Sequence, residues 1–130
     1  MLRQFLTTLA SLLVLDGIWL GVLMTDFYRR SLAPVARMAD GRLDPRWPIA
    51  ALVYPVIALG LSVFVLSRAR TALEAFWLGA LFGAIAFAVY DLTNHATLRE
   101  WRTAMTLVDI SWGALSCGLA SWIAVSVSRV

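Results

Sequence analysis

"AFWLGALFGAIAFAVYDLTNHATL", residues 75–98, decides the fold. Residues 75–90 carry no charge, and then Asp91, Asn94 and His95, the single histidine of the chain, follow within five residues. A bilayer core takes about 20 predominantly apolar residues per helix, so this stretch has the length and the character of a membrane span. What needs explaining is the polarity just before it ends.

Working outward, the same pattern recurs. Residues 47–67 lie uncharged between Arg46 and Arg68, residues 110–128 between Asp109 and Arg129, and residues 4–25 are broken only by Asp16. Four spans are expected, over about residues 4–28, 47–67, 75–97 and 103–128, in one domain covering residues 1–130. With 61% apolar and 15% charged residues, the 130-residue chain lacks the polar surface of a water-soluble domain. The predicted class is all-α, an integral membrane bundle of four transmembrane helices. The first apolar stretch continues past Asp16 to Met24 without a small-residue cleavage site, which predicts a retained helix rather than a signal peptide. Cys117, the one cysteine, excludes an internal disulfide and reads as a small core residue.

The net charge of +3 rests on arginine alone. Because the arginines flank the spans, headgroup contact and topology explain them, and no nucleic-acid partner is expected. Four spans put both termini on one face, side A, with Arg3, Arg68, Arg70 and Arg129. Loops 1 and 3 fall on side B, with Arg29, Arg30, Arg37, Arg42, Arg46, Arg99 and Arg102. The bias makes side B the expected cytoplasmic face. Loop 1, residues 29–47, mixes arginines with apolar residues as a surface-lying amphipathic segment would. Trp47 and Trp101 fall near side-B helix ends and Trp77 and Trp122 near side A, the arrangement of an interfacial aromatic belt. Gly17 with Gly21, and Gly79 with Gly83, form two G-x-x-x-G pairs, read first as packing within the bundle and second as a homodimer contact.

Three elements repeat an aspartate followed three residues later by a tryptophan or asparagine: Asp16–Trp19, Asp91–Asn94 and Asp109–Trp112. That spacing sets both side chains of each pair on one helix face. At about 1.5 Å per residue, Asp16 lies about 18 Å and Asp91 about 25 Å from side A, and Asp109 about 9 Å from side B. In a core about 30 Å thick, all three carboxyl groups fall in the side-B half. Tyr54, early in the second span, belongs to the same level. One stripe carries Thr106, Asp109, Trp112, Gly113, Ser116 and Ala120; another carries Ala80, Ala84 and Ala88 with Asp91, Asn94 and His95. Small residues mark faces turned to other helices, so the aspartates are expected to point inward. An aspartate at mid-span costs about 2.5–3.5 kcal/mol on insertion scales, which makes such residues candidates for function. His95, four residues after Asp91, is placed to pair with it.

"LDGIWLG" (15–21), "FY" (27–28), "LGALFGAIAFAVYDLTNHATL" (78–98), Trp101 and "VDISWG" (108–113) together resemble a family of small bacterial predicted membrane proteins, a domain of unknown function with four predicted helices. The resemblance covers essentially the whole chain. The matching positions are Asp16, Trp19, Gly21, Phe27, Tyr28, Tyr90, Asp91, Thr93, Asn94, Ala96, Thr97, Asp109, Trp112 and Gly113. It implies a membrane bundle and supplies no established activity.

The candidate site is therefore a polar side-B cleft of Asp16, Trp19, Tyr54, Asp91, Asn94, His95, Asp109 and Trp112, covered by loop 1 through Tyr28, Arg29 and Arg30. An amphipathic lipid or fatty-acyl ligand suits such a cleft, with membrane lipids as partners. The alternatives are a small dimeric proton-coupled transporter, with Asp16 as coupling group, and a structural or assembly role in which the polar groups only lock the helices together. Carboxyl groups could supply an acid and a base, but there is no nucleotide loop, cysteine–histidine arrangement or zinc motif. A metal on Asp91 and His95 would have few ligands. No cofactor and no metal is assigned.

Overall fold

The computed structural model describes residues 1–130. Four helices are long and apolar enough to cross a bilayer: α1 (Leu2–Leu23), α3 (Trp47–Leu66), α4 (Ala72–Thr97) and α5 (Thr103–Ser128). The chain is an all-α integral membrane bundle. Between α1 and α3 lie a short helix, α2 (Thr25–Leu32), and a two-stranded antiparallel hairpin, β1 (Met38–Ala39) with β2 (Arg42–Leu43).

Local chemistry sets the ends of these helices. Thr71 accepts from the Glu74 N–H at 3.0 Å, and Glu74 takes the Arg70 N–H at 2.8 Å, so α4 begins in a capped first turn. Proline in the first turn opens α3, where its missing N–H is harmless. The hairpin turns on Asp40 and Gly41, both with positive φ (51° and 74°), as a tight two-residue connection requires.

Expectation and structure differ at the end of the first span. Instead of one helix to residue 28, α1 winds as a π-helix over Trp19–Leu23 and stops at Met24, where φ is −123° and ψ 16°. Tyr28 therefore belongs to α2, which buries Tyr28 and Ser31 and exposes Asp26, Arg29 and Arg30. Loop 1 is thus a two-faced helix followed by a hairpin.

Helix α5 is the centre of the bundle. It packs antiparallel against α4 along its length, against α1 on another side, and against the last turn of α3. At side A, Arg3 donates to the Val127 carbonyl at 2.9 Å, which ties the two ends of the chain together. The main core joins Leu12, Ala58, Leu61, Val65, Ala75, Cys117, Ala120 and Ala124 across all four spans.

Small residues settle the closest approach. A Cβ on Gly83 would collide with the Gly113 carbonyl oxygen and meet Cys117 Cβ at 2.7 Å; one on Gly79 would meet the Cys117 carbonyl oxygen at 2.7 Å. The Gly79–Gly83 pair is therefore a helix-packing contact inside the bundle. Gly17 and Gly21 have nothing within 4 Å of an added Cβ, so the second pair plays no such part within the chain. The face of α4 that is buried runs Ala75, Gly79, Gly83 and Asp91, and Ala80, Ala84 and Ala88 lie at its margin. On α5 the predicted stripe, Thr106, Asp109, Trp112, Gly113, Ser116 and Ala120, is buried throughout.

Replacing Gly83 by alanine is expected to lower stability by about 1–3 kcal/mol, since the obstacle is backbone and cannot rotate away. Gly21→Ala is expected to leave it unchanged. Unfolding of the purified protein in mixed micelles distinguishes the two, and equal sensitivity would contradict the packing described.

Candidate functional site

The polar groups assemble where α1, α2 and α5 meet. Asp16 and Trp19, three residues apart on α1, both face one residue of α5, Trp112. The Trp112 indole donates to Asp16 Oδ1 at 2.6 Å, and its ring lies on that of Trp19 with centroids 4.3 Å apart and planes 3° from parallel. Tyr54 approaches the same Asp16 carboxyl from α3.

The Trp19 indole turns the other way. It donates to the Tyr28 hydroxyl at 3.0 Å, which in turn donates to Asp109 Oδ1 at 2.9 Å. Burial, with the nearby Asp109 carboxyl second, pushes the Tyr28 phenol above its ordinary range, so it remains a donor at neutral pH. Two stacked indoles thus hold two aspartates of different helices, one directly and one through a tyrosine. Such a network is stabilising only because every member has a partner.

Asp91 is different. It is 0% exposed and stands next to Asp109. No N–H or hydroxyl of another residue type reaches its carboxyl oxygens, but the Asp109 carboxyl lies within hydrogen-bonding reach, a contact that becomes an O–H···O bond when one of the two is protonated. His95 does not pair with it, contrary to expectation. His95 Nδ1 is instead 3.2 Å from the Thr106 hydroxyl, which also accepts from the Trp101 indole at 2.9 Å. One helical turn separates Asp91 from His95, but the α5 hydroxyl offers the imidazole a partner that the carboxyl position does not. Asn94 is half-buried beside them, and Tyr90, Thr93 and Thr97 face outward.

Trp101 corrects the expected aromatic belt. Trp47 (67%), Trp77 (64%) and Trp122 (46%) are exposed outward, whereas Trp101 is 8% exposed and packs with Tyr28 and Met105. Thr106, expected on the inward stripe of α5, and Tyr28, expected on the covering loop, are members of the network itself, and Trp101 joins them although its position at a helix end reads as a belt residue.

Two hollows flank this assembly. One, of about 320 Å³, opens outward beside the indole pair and is lined by Trp19, Met24, Leu107, Val108, Ser111, Trp112 and Leu115. The other, of about 540 Å³, lies at the side-B surface between the hairpin and the start of α3. No aspartate lines either wall. No group of three or more histidine, cysteine or acidic residues converges with the geometry of a metal site.

The chain matches the family described as predicted membrane protein (DUF2177) over residues 1–126, and it belongs to that family. Neither the curated proteins nor the solved structures contain a match.

Trp112→Phe keeps an aromatic ring but removes the donor to Asp16, and is expected to cost about 1–3 kcal/mol of stability. Asp91→Asn replaces one of two adjacent carboxyl groups by an amide whose NH2 can donate to Asp109, so its stability is expected to equal or exceed the parent's. The same mixed-micelle unfolding assay orders the two variants, and the reverse order would show that the hydrogen-bonded network is misread.

Proposed function

We propose that the protein holds an amphipathic lipid or fatty-acyl ligand in the side-B half of the membrane. The observation that carries this reading is the outward-opening hollow whose inner wall is the Trp19–Trp112 stack. Its other lining residues, apart from Ser111, are aliphatic or thioether side chains. About 320 Å³ lies at the lower end of the ~300–1,000 Å³ of small-ligand sites, which suits part of a hydrocarbon chain rather than a whole bilayer lipid.

The chemistry behind the wall supports an apolar chain against the indole faces. Both indole N–H groups point away from the hollow into Asp16 and the Tyr28–Asp109 pair, so the aromatic faces are left for hydrocarbon. Asp16, Tyr54, Asp91, Asn94, His95 and Asp109 form a polar layer behind that wall and do not line the hollow, where Ser111 is the one aliphatic hydroxyl offered to a ligand. In this reading the Asp16 and Asp109 carboxyl groups fix the indoles, and the indole faces meet the ligand. Side B faces the cytoplasm of an inner membrane.

A photoreactive fatty acid incorporated into membranes carrying the protein tests this directly. Labelling is expected to concentrate on Leu107, Val108, Ser111 and Leu115, and Trp112→Leu is expected to reduce it at least several-fold. Uniform labelling of all outward residues of α5, Trp122 included, would show only annular lipid and defeat the proposal.

A second reading, proton-coupled transport by a dimer, draws on one observation, the buried Asp91 carboxyl set against that of Asp109. Intramembrane carboxyl groups so placed are typical of proton relays. Reconstituted vesicles under an imposed pH gradient separate the readings. Flux that Asp91→Asn abolishes supports transport, and its absence from the parent protein excludes it.

A further inference from the structure

We infer that the side-B hollow between the hairpin and α3 is a binding site for the headgroup of one anionic phospholipid, separate from the acyl groove beside the indoles. Its floor is apolar, with Leu32, Leu43 and Ile49 contributing, and its rim carries Arg37 and Arg46. Five of the eight lining residues are hydrophobic, so the site presents hydrocarbon and cation together.

The two arginines are free to bind. The one ion pair of the chain is Arg29 with Asp26, and neither the Arg37 nor the Arg46 side chain makes a hydrogen bond. Five arginines face two aspartates between residues 29 and 46, which leaves this surface strongly basic. Guanidinium groups match phosphate oxygens in a planar, two-pronged fashion and are weakly hydrated, the properties a phosphodiester site needs.

The backbone holds the pair in place. The Asp44 N–H donates to the Arg37 carbonyl at 2.9 Å, closing the hairpin so that Arg37 is tied just ahead of Arg46. Arg46 is also the cap residue of α3, and its carbonyl accepts from Ile49 and Ala50 at 3.0 and 2.9 Å. Both arginines therefore project from ordered backbone.

Depth selects the ligand. Trp47, next to Arg46, is 67% exposed at the end of a span, where tryptophan marks the membrane–water boundary. Ile49, 60% exposed one half-turn deeper, faces hydrocarbon. A phosphate at the arginines would have its glycerol and upper chain against Leu43 and Ile49. A soluble anion would leave that wall unused, and basic pockets at this level are how bilayer proteins recognise acidic lipid.

The test uses the full-length protein in detergent, titrated with phosphatidylglycerol and, separately, phosphatidylcholine of the same acyl chains, with retained lipid counted by native mass spectrometry. Phosphatidylglycerol is expected to be retained at least tenfold better, and Arg37→Gln with Arg46→Gln is expected to remove that preference. Arg29→Gln with Arg30→Gln is the control for diffuse surface charge and is expected to preserve it. Equal retention of both lipids, equal loss in the control, or displacement of the lipid by inorganic phosphate at similar concentration would each overturn the assignment. A photoreactive phosphatidylglycerol on the unmodified protein gives a readout independent of the variants: cross-links at Leu43 or Ile49 support the site, and their absence overturns it. Labelling at Leu107–Leu115 belongs to the other groove, so each proposal can fail without the other.

Discussion

A carboxyl group carried into hydrocarbon must find a hydrogen-bond donor, and the contact between Trp112 and Asp16 is where this chain first meets that demand. The bond is short, 2.6 Å, and it joins the central helix to the first. Backbone groups cannot help, because in a helix they are already committed to one another. The donors must be side chains. Indole is well suited, because it supplies one N–H and brings a large apolar body that tolerates lipid. The Trp19–Trp112 stack follows from this requirement. Each indole is held by its own N–H, so the two rings have one arrangement in which both bonds are made and their faces meet.

Helices α4 and α5 solve a different problem. Gly79 and Gly83 let the two backbones approach to where any Cβ would collide, Gly113 makes room for the Phe87 ring of α4, and the α4 stripe continues to Asp91. Close backbone packing at one end thus brings Asp91 beside Asp109 at the other. Two kinds of polar burial coexist within a few ångströms. Asp16 and Asp109 are satisfied and contribute to holding the helices together. No indole or phenol donor reaches Asp91, whose polar neighbour is the Asp109 carboxyl of the facing helix.

What could be read in the sequence, and what could not, divides along physical lines. The spans were legible because an apolar run of about 20 residues has few other outcomes. The inward stripe of α5 was legible too, since small and polar residues share one phase over four turns. The face of α4 was misjudged by about one position, because alanines at 80, 84 and 88 and glycines at 79 and 83 occupy neighbouring phases; only a partner backbone distinguishes them. The partner of His95 is a hydroxyl on another helix, and nothing along α4 announces it. Trp101 sits at a helix end, as a belt residue would, but Tyr28 and Met105 fold over it.

The hardest feature to foresee is the break at Met24, and the network itself explains why it is there. On a straight α-helix Tyr28 would lie about 13.5 Å beyond Trp19, at about 1.5 Å rise per residue. Their side chains are instead 3.0 Å apart. The π-turn makes this possible: the Met24 N–H reaches back five residues to the Trp19 carbonyl at 2.8 Å, which widens the last turn of α1. Then α2 starts afresh, with the Tyr28 N–H on the Met24 carbonyl at 3.1 Å, and folds the phenol back toward α5. Had α1 continued to residue 28, Trp19 would keep its ring on Trp112 but lose the acceptor for its N–H, and Asp109 would lose its donor. The irregular winding is therefore the local condition for the second half of the network. Local propensity gives no warning of it, because "WLGVLMTDFY" contains no proline and would continue a helix without difficulty.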